Sequence, residues 1–298
     1  MSCDQKSCAA CHSGAEKKSR EELISCKLSR IRNKVLVMSG KGGVGKSSIA
    51  SYLSMGLAQK GFQVGLLDID LHGPSIPRMF GLRGSLEITA DREIIPYAYK
   101  PNLKIVSIES LTEETDSAII WRGPLKHGVI KQFLADCKWD DLDFLIIDSP
   151  PGTGDEAQTI AKMVPDARAL IVTTPQEVAL ADVRKSIDFC RKVDLRILGL
   201  VENMSGLFCP HCNHFIPIFL SGGGRRTSDK MNIEYLGALP FDPEVVERGD
   251  RGTPVFEENG NRPFTKALGE FTETVLQKLG EQPRGYARQA VSVISATC

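Results

Sequence analysis

The chain has 298 residues, with 37 Lys plus Arg balanced by 37 Asp plus Glu. This length accommodates one large α/β domain with short appendages, and zero net charge gives no overall field that would attract nucleic acid or an anionic membrane. No stretch approaches the ~20 consecutive apolar residues of a membrane-spanning helix, and the polar N-terminus lacks the apolar stretch of a secretory signal. We therefore expect a cytoplasmic protein that binds neither nucleic acid nor membranes.

Residues 1–33 form the first predicted segment, which is polar and lacks a sustained apolar period before Ile31. We interpret it as an appendage outside the main core. It contains Cys3, Cys8, Cys11 and Cys26 with the spacing C-x4-C-x2-C-x14-C. Nine cysteines, an odd number in a reducing compartment, favour metal ligation over a disulfide framework. The four thiolates could hold an iron–sulfur cluster or a zinc ion, or they could bind no metal.

From Lys34 the pattern changes to short, continuously apolar runs, which are typical of strands buried on both faces. The runs are VLVMS (35–39), VGLLD (64–68), KIVSI (104–108), DFLIID (143–148), ALIVTT (169–174), ILGLVEN (197–203) and EYLGALP (234–240). Stretches with helical spacing separate several of them, for example Leu180, Val183 and Ile187. This alternation predicts a doubly wound, mainly parallel α/β sheet with helices on both faces over residues 34–280, followed by a tail at 281–298.

A phosphate-binding motif follows the first of these runs and opens a helical stretch. The motif comprises Gly40, Lys41, Gly42, Gly43, Val44, Gly45, Lys46 and Ser47, with Ser48 next in the helix. This is G-x-x-x-x-G-K-[ST], whose backbone N–H groups and helix N-terminus cradle phosphate. Lys46 would reach the β- and γ-phosphate oxygens of ATP, and Ser47 would offer its hydroxyl to Mg²⁺.

The second lysine of the motif, Lys41, is not needed to cradle phosphate. It resembles the signature lysine of deviant Walker ATPases, which crosses a nucleotide-sandwich dimer to the partner's phosphates. The alternative is a solvated loop lysine.

Carboxylates end two of the apolar runs beside this motif. Asp70 is the candidate for orienting the attacking water, with Asp68 a weaker candidate. Asp148 closes a strand and precedes PPGTGD, which is the Walker B arrangement that holds Mg²⁺, here through water. Because parallel strands present their carboxyl ends at one edge of a sheet, we expect these residues to lie together.

Cys209 and Cys212 form a C-x-x-C pair, whose spacing lets two thiolates point at one metal. Cys137 and Cys190 continue apolar helical series and are expected to be buried packing residues. A four-thiolate site would then be completed most simply by a second copy of the chain. A zinc site that includes His214 and a redox dithiol are the alternatives. Cys298 is unassigned.

Several segments together resemble the Mrp/ApbC family of deviant P-loop ATPases, relatives of the eukaryotic cytosolic iron–sulfur scaffold proteins. Besides GKGGVGKSS they are DIDLHGPSIP (68–77), IIDSPPGTGD (146–155), VTTPQEVALADVRK (172–185), VENMSG (201–206), CPHC (209–212) and LGALPFDPEVVERGDRGTPV (236–255). The resemblance implies a homodimer that hydrolyses ATP, holds a [4Fe–4S] cluster bridging its subunits and passes it to apoproteins. It also implies that Asn203 hydrogen-bonds adenine. Scaffolds with an N-terminal cluster place their long cysteine gap first, whereas here it comes last, before Cys26.

Two other functions use the same phosphate loop. A positioning ATPase of the MinD/ParA type would need no cysteine pair and usually carries an amphipathic end, whereas the C-terminal VSVISATC is short and not clearly amphipathic. A reductase similar to the nitrogenase iron protein draws its cluster ligands from two distant single cysteines. The C-x-x-C pair therefore favours the carrier.

Overall fold

The computed structural model describes residues 19–70, 73, 75–111, 123–219, 221–254 and 262–282, excluding the side chains of 111 and 123–126. The helices are α1 (Arg20–Ser29), α2 (Lys46–Gln59), α3 (Ile76–Met79), α4 (Gly123–Asp136), α5 (Asp155–Met163), α6 (Glu177–Lys192), α7 (Gly223–Met231), α8 (Pro243–Asp250) and α9 (Pro263–Leu279). The strands are β1 (Ile31–Ser39), β2 (Val64–Asp68), β3 (Glu87–Ile88), β4 (Ile94–Ile95), β5 (Tyr97–Lys100), β6 (Leu103–Ser107), β7 (Leu142–Asp148), β8 (Arg168–Thr173), β9 (Arg196–Glu202), β10 (Leu207–Phe208), β11 (Phe215–Ile216) and β12 (Tyr235–Ala238). A 3₁₀ helix spans Ile108–Leu111.

One eight-stranded sheet forms the centre, with the strand order β12-β9-β8-β1-β7-β2-β6-β5. The strands pair in parallel except for β5, which runs antiparallel to β6. The pairings of both edge strands are irregular, with a register shift between Ala98 and Lys100 in β5 and another between Tyr235 and Gly237 in β12. Two short hairpins, β3-β4 and β10-β11, lie outside this sheet.

The sheet is covered on both faces, which explains the continuous apolar runs in its strands. Alternate residues of β1 show this directly. Leu36 and Met38 belong to a core shared with α1, α4, α5 and α6. Val35 and Val37 belong to a second core shared with α2, α3 and α9. The predicted doubly wound α/β architecture is thus confirmed.

The first helix is part of this packing, although the sequence suggested an appendage up to residue 33. Ser19 caps α1 in a reciprocal arrangement with Glu22, and Ile24 and Leu28 are buried in the core formed with α4. Strand β1 begins at Ile31 rather than after Lys34. Residues 19–33 therefore contribute to the domain that was expected to begin at Lys34.

The C-terminal helix ends just before the tail that the sequence predicts from residue 281. Helix α9 stops at Leu279, and Gly280 adopts φ 74°, the left-handed conformation that glycine favours at a helix end. Glu281 then accepts hydrogen bonds from Asn33 Nδ2 at 2.9 Å and from Arg32 at 3.2 Å. The tail predicted from 281 thus begins with a residue held against β1. No helix among the described residues has the length and apolar character required to cross a membrane.

Candidate functional site

The carboxyl ends of β1, β2 and β7 bring the predicted phosphate-site residues together. Asp68 and Asp148 are direct neighbours across the β2–β7 pair, and Val37 of β1 aligns with Asp148 on the other side. The phosphate loop follows β1 and leads into α2, so both acidic strand ends lie beside it. This arrangement follows from parallel pairing of neighbouring strands.

The loop encloses a pocket of about 230 Å³ at the start of α2. Its lining residues are Ser39, Lys41, Gly42, Gly43, Gly45, Lys46, Ser47, Ser48, Asp70, Gly73, Ser75 and Pro151. Gly43 and Gly45 have φ of 78° and 79°, a conformation that non-glycine residues adopt only with strain. Pro151, Gly73 and Ser75 were not singled out from the sequence, although each lies in a segment adjoining a predicted site residue.

Lys46 and Asp148 form a buried ion pair in this pocket. Lys46 Nζ lies 2.6 Å from Asp148 Oδ1 and 3.5 Å from Asp70 Oδ2, and the Lys46 side chain is only 6% exposed. Burial lowers the pKa of Lys46, but the charges of Asp148 and Asp70 outweigh it, so the net shift of the pKa is upward. Burial also raises the pKa of Asp148, and Lys46 partly offsets this. The pKa values of Lys46 and Asp148 therefore each depend on the charge of the other residue.

One oxygen of Asp148 indicates what the pocket can hold. Asp148 Oδ2 is buried and has no hydrogen-bond partner within the described chain. A buried acceptor without a partner can be satisfied by a bound hydrogen-bond donor or a cation. Asp148 and the adjacent Ser47 hydroxyl thus fit a divalent cation bound with a nucleotide, and Lys46 fits the phosphates.

Asp68, the last residue of β2, and Asp70, two residues later, have different environments. Asp68 accepts hydrogen bonds from Asp70 N and Ser107 Oγ, both at 3.0 Å, and is fully buried. Burial raises the pKa of Asp68 well above its usual range, and the charge of Asp148 adds to this. Asp70 instead lines the pocket. Of the two, Asp70 is placed to contact a bound ligand.

Lys41 lies near the start of the phosphate loop. Lys41 is half-buried at the pocket, and no carboxylate of the described chain forms an ion pair with it. Its charge is thus available to a ligand or a partner subunit.

Gly40 packs against α6, because a Cβ at this position would lie 2.4 Å from the Asp182 carbonyl carbon. Position 40 therefore requires glycine.

Asn203 directly follows β9 and contacts the phosphate loop. Its Nδ2 donates to Val44 O at 2.9 Å. The sequence did not suggest this contact, because the two residues are 159 positions apart and no local pattern joins them.

The C-x-x-C pair lies at the tip of the β10-β11 hairpin. Cys209 is half-buried and Cys212 is exposed. The hairpin turn is closed by bonds from Cys209 N to His214 O at 2.9 Å and from Asn213 N to Cys209 O at 2.8 Å. Backbone N–H groups of His211 and Cys212 point at Cys209 and lower its thiol pKa. The pair thus presents two thiols at the surface, and the pKa of one of them is lowered.

The described residues contain no group of three or more His, Cys, Asp or Glu side chains that could hold a metal ion. His214 therefore does not complete a metal site with Cys209 and Cys212 inside the described chain. Cys137 and Cys190 are fully buried, as predicted for packing cysteines. Cys26 lies in α1, whereas Cys3, Cys8, Cys11 and Cys298 lie outside the described residues.

Residues 30–276 match the family model described as ParA, NUBPL iron-transfer P-loop NTPase. The chain belongs to this family. It therefore shares the P-loop NTPase fold of this family.

Curated relatives match most of the chain. It is 44% identical over 255 residues to the iron-sulfur cluster carrier protein of Saccharolobus solfataricus, covering 85% of this chain and 86% of the relative. It is 48% identical over 228 residues to the cytosolic Fe-S cluster assembly factor CFD1 of Saccharomyces cerevisiae, covering 74% and 78%. Among solved structures, the nucleotide-binding protein of Archaeoglobus fulgidus in complex with ADP is 36% identical, with a TM-score of 0.69 and coverage of 78% of this chain and 91% of that one.

Proposed function

We propose that the protein is a cytoplasmic carrier that hydrolyses ATP, assembles a [4Fe–4S] cluster between two copies of itself and passes the cluster to apoproteins. The observation that carries the proposal is the half-site at the hairpin tip. Cys209 and Cys212 present two thiols at the surface, and the described residues around them supply no further ligand. Since a [4Fe–4S] cluster requires four thiolates, a second copy related by a two-fold axis completes the set.

The phosphate pocket would supply the nucleotide chemistry. Lys46 would leave Asp148 for the β- and γ-phosphates of ATP, and Ser47 with Asp148 would hold Mg²⁺, which neutralises phosphate charge when bound. Asp70 would orient the water that attacks the γ-phosphorus, and Lys41 would reach the partner's phosphates. Asn203 would hydrogen-bond adenine. The solved relative that carries ADP supports nucleotide binding by this fold.

The test is anaerobic reconstitution with iron and sulfide, followed by iron counting and absorption and electron paramagnetic resonance spectroscopy. Because iron bound at the N-terminal cysteines would also be counted, the comparison is made in a Cys3/Cys8/Cys11→Ala background. A bridging cluster should contribute about two irons per monomer and disappear in the Cys209/Cys212→Ala variant. Zinc content is measured in the same samples.

The matched control is the Cys137/Cys190→Ala variant, which loses the same number of thiols from buried positions. We expect it to keep its iron. Retention of all iron by the Cys209/Cys212→Ala variant would refute the bridging cluster. Stoichiometric zinc with no iron would replace the cluster with a structural metal site.

A further inference from the structure

Two hydrogen bonds, one from the backbone and one from the side chain, hold Asn203 beside the phosphate loop. Its backbone N–H donates to Thr173 O at 2.7 Å, at the end of β8. Its side-chain Nδ2 donates to Val44 O at 2.9 Å, and the residue is only 7% exposed. The amide therefore joins the end of β9 rigidly to the loop.

The contact controls the direction of one loop peptide. In a trans peptide the C=O and the following N–H point in opposite directions. With Val44 O held towards Asn203, the N–H of Gly45 is directed away from Asn203, and Gly45 lines the phosphate pocket. Backbone N–H groups oriented in this way are what bind phosphate in such loops.

The packing at this contact is tight enough to define the residue at position 45. A Cβ on Gly45 would lie 2.2 Å from Asn203 Nδ2, and Gly45 has φ 79°. Gly45 and the Asn203 amide are therefore in direct contact, and a movement of the loop towards the amide must displace it.

From Asn203 the chain continues to Cys209 through five residues held at several points. Ser205 N donates to Leu239 O at 3.0 Å, and Gly206 O accepts from Phe241 N at 2.7 Å. Gly206 also packs against the ring of Phe215, where a Cβ would approach to 2.2 Å. This connection is short and held along its length, so it forms a direct path from Asn203 to the hairpin.

We propose that Asn203 is a positioning residue that orients the Val44–Gly45 peptide and links the phosphate loop mechanically to the Cys209–Cys212 hairpin. The first role needs only nucleotide binding, whereas the second rests on the proposed carrier function. Both differ from an adenine contact, because they act on any ligand that fills the phosphate pocket.

The first experiment measures binding of ATP and of inorganic tripolyphosphate, which lacks adenine, by calorimetry. Asn203→Asp keeps the side-chain shape but places a carboxylate oxygen against Val44 O. We expect both ligands to bind about 10-fold more weakly, the scale of one hydrogen bond. Asn203→Ala, which removes the donor without adding charge, should weaken tripolyphosphate binding by the same factor and serves if the Asp variant fails to fold.

Asn232→Asp is the matched control, since Asn232 is exposed at the end of α7 and should leave both affinities unchanged. Weaker binding of ATP with unchanged binding of tripolyphosphate would leave Asn203 with the adenine contact alone and overturn the positioning role. Unchanged binding of both ligands would overturn it equally.

The second experiment follows alkylation of Cys209 and Cys212 by iodoacetamide in cluster-free protein, with and without ATP at concentrations that saturate each variant. We expect ATP to change the wild-type rate several-fold and to leave the rate of Asn203→Asp unchanged. A response that persists in Asn203→Asp, or no response in the wild type, overturns the link. Neither outcome alters the iron count, so failure of the link and failure of the carrier function are distinguishable.

Discussion

Lys46 and Asp148 form an ion pair whose side chains are both buried. A loop lysine that served only bound phosphate could be removed without effect on the fold, but Lys46 is the partner of a fully buried carboxylate. Lys46→Ala should therefore abolish ATP hydrolysis and also lower the free energy of unfolding by about 3 kcal/mol, the usual effect of leaving a buried charge unpaired. Urea unfolding and ATP turnover measure the two effects.

The stability loss should depend on pH in a defined direction. Burial raises the pKa of Asp148, and removal of Lys46 removes the charge that opposes this rise. A carboxyl whose folded-state pKa lies above its unfolded value stabilises the fold at low pH and loses that contribution as pH rises through the folded pKa. The deficit of Lys46→Ala should thus be smaller at pH 5 than at pH 8, and Lys46→Ala/Asp148→Asn should remove most of this pH dependence. A deficit that grows towards low pH would contradict this account.

Asp70 lines the phosphate pocket and is the candidate for orienting the attacking water. Asp70→Asn should bind ATP but hydrolyse it roughly 100-fold more slowly, because an amide orients and activates water less effectively than a carboxylate. Calorimetry and phosphate release separate the two properties. Asp91→Asn, at an exposed position, is the control. Wild-type turnover in Asp70→Asn would assign the water to another residue.

The β10-β11 hairpin should be the most reactive thiol-bearing element in the described chain. Cys137 and Cys190 are fully buried, and burial raises the pKa of Cys190 to about 12. At pH 8, iodoacetamide should modify Cys209 and Cys212 first and leave the two buried thiols until the protein unfolds. Peptide mass spectrometry over time provides the measurement, and early labelling of Cys190 would contradict the packing of α6.

Helix α1 should stabilise the domain despite its polar surroundings in the sequence. Leu28→Ala removes a buried side chain from the contact with α4 and should lower the free energy of unfolding by roughly 2–4 kcal/mol. Leu23→Ala, in the same helix at a 39% exposed position, should have a much smaller effect. Equal effects of the two variants in denaturant titrations would mean that α1 does not pack as described.

The sequence predicted elements with a strong local pattern and missed those defined by distant contacts. Strand β2 was predicted with its observed ends, because VGLLD is a continuous apolar run that begins after Gln63 and closes on an aspartate. Helix α1 was missed because only Ile24 and Leu28 mark its buried side. The phosphate loop was predicted residue by residue, since one peptide segment forms it. The bonds from Lys46 to Asp148 and from Asn203 to Val44 join remote segments, so only the fold brings them together.

The whole molecule contains two cysteine groups that should depend differently on dimerisation. Substituting Cys3, Cys8 and Cys11 by Ala, which keeps α1 intact, should remove about four irons per monomer if these residues bind a cluster, and should leave the dimer in place. Cys209/Cys212→Ala should instead weaken the dimer, because a shared metal site adds its binding energy to the interface. Iron content and sedimentation velocity measure both variants. Identical sedimentation of wild type and Cys209/Cys212→Ala would contradict a shared cluster.

The irregular edges of the central sheet affect how copies of the protein can meet. Strands β5 and β12 are each four residues long, and the pairing of each is interrupted by a register shift. Short, bulged edges are poor templates for an incoming strand from another chain. Two copies should therefore associate without forming a continuous intermolecular sheet, and the protein should resist amyloid-like aggregation through these edges even at the high local concentrations reached during synthesis.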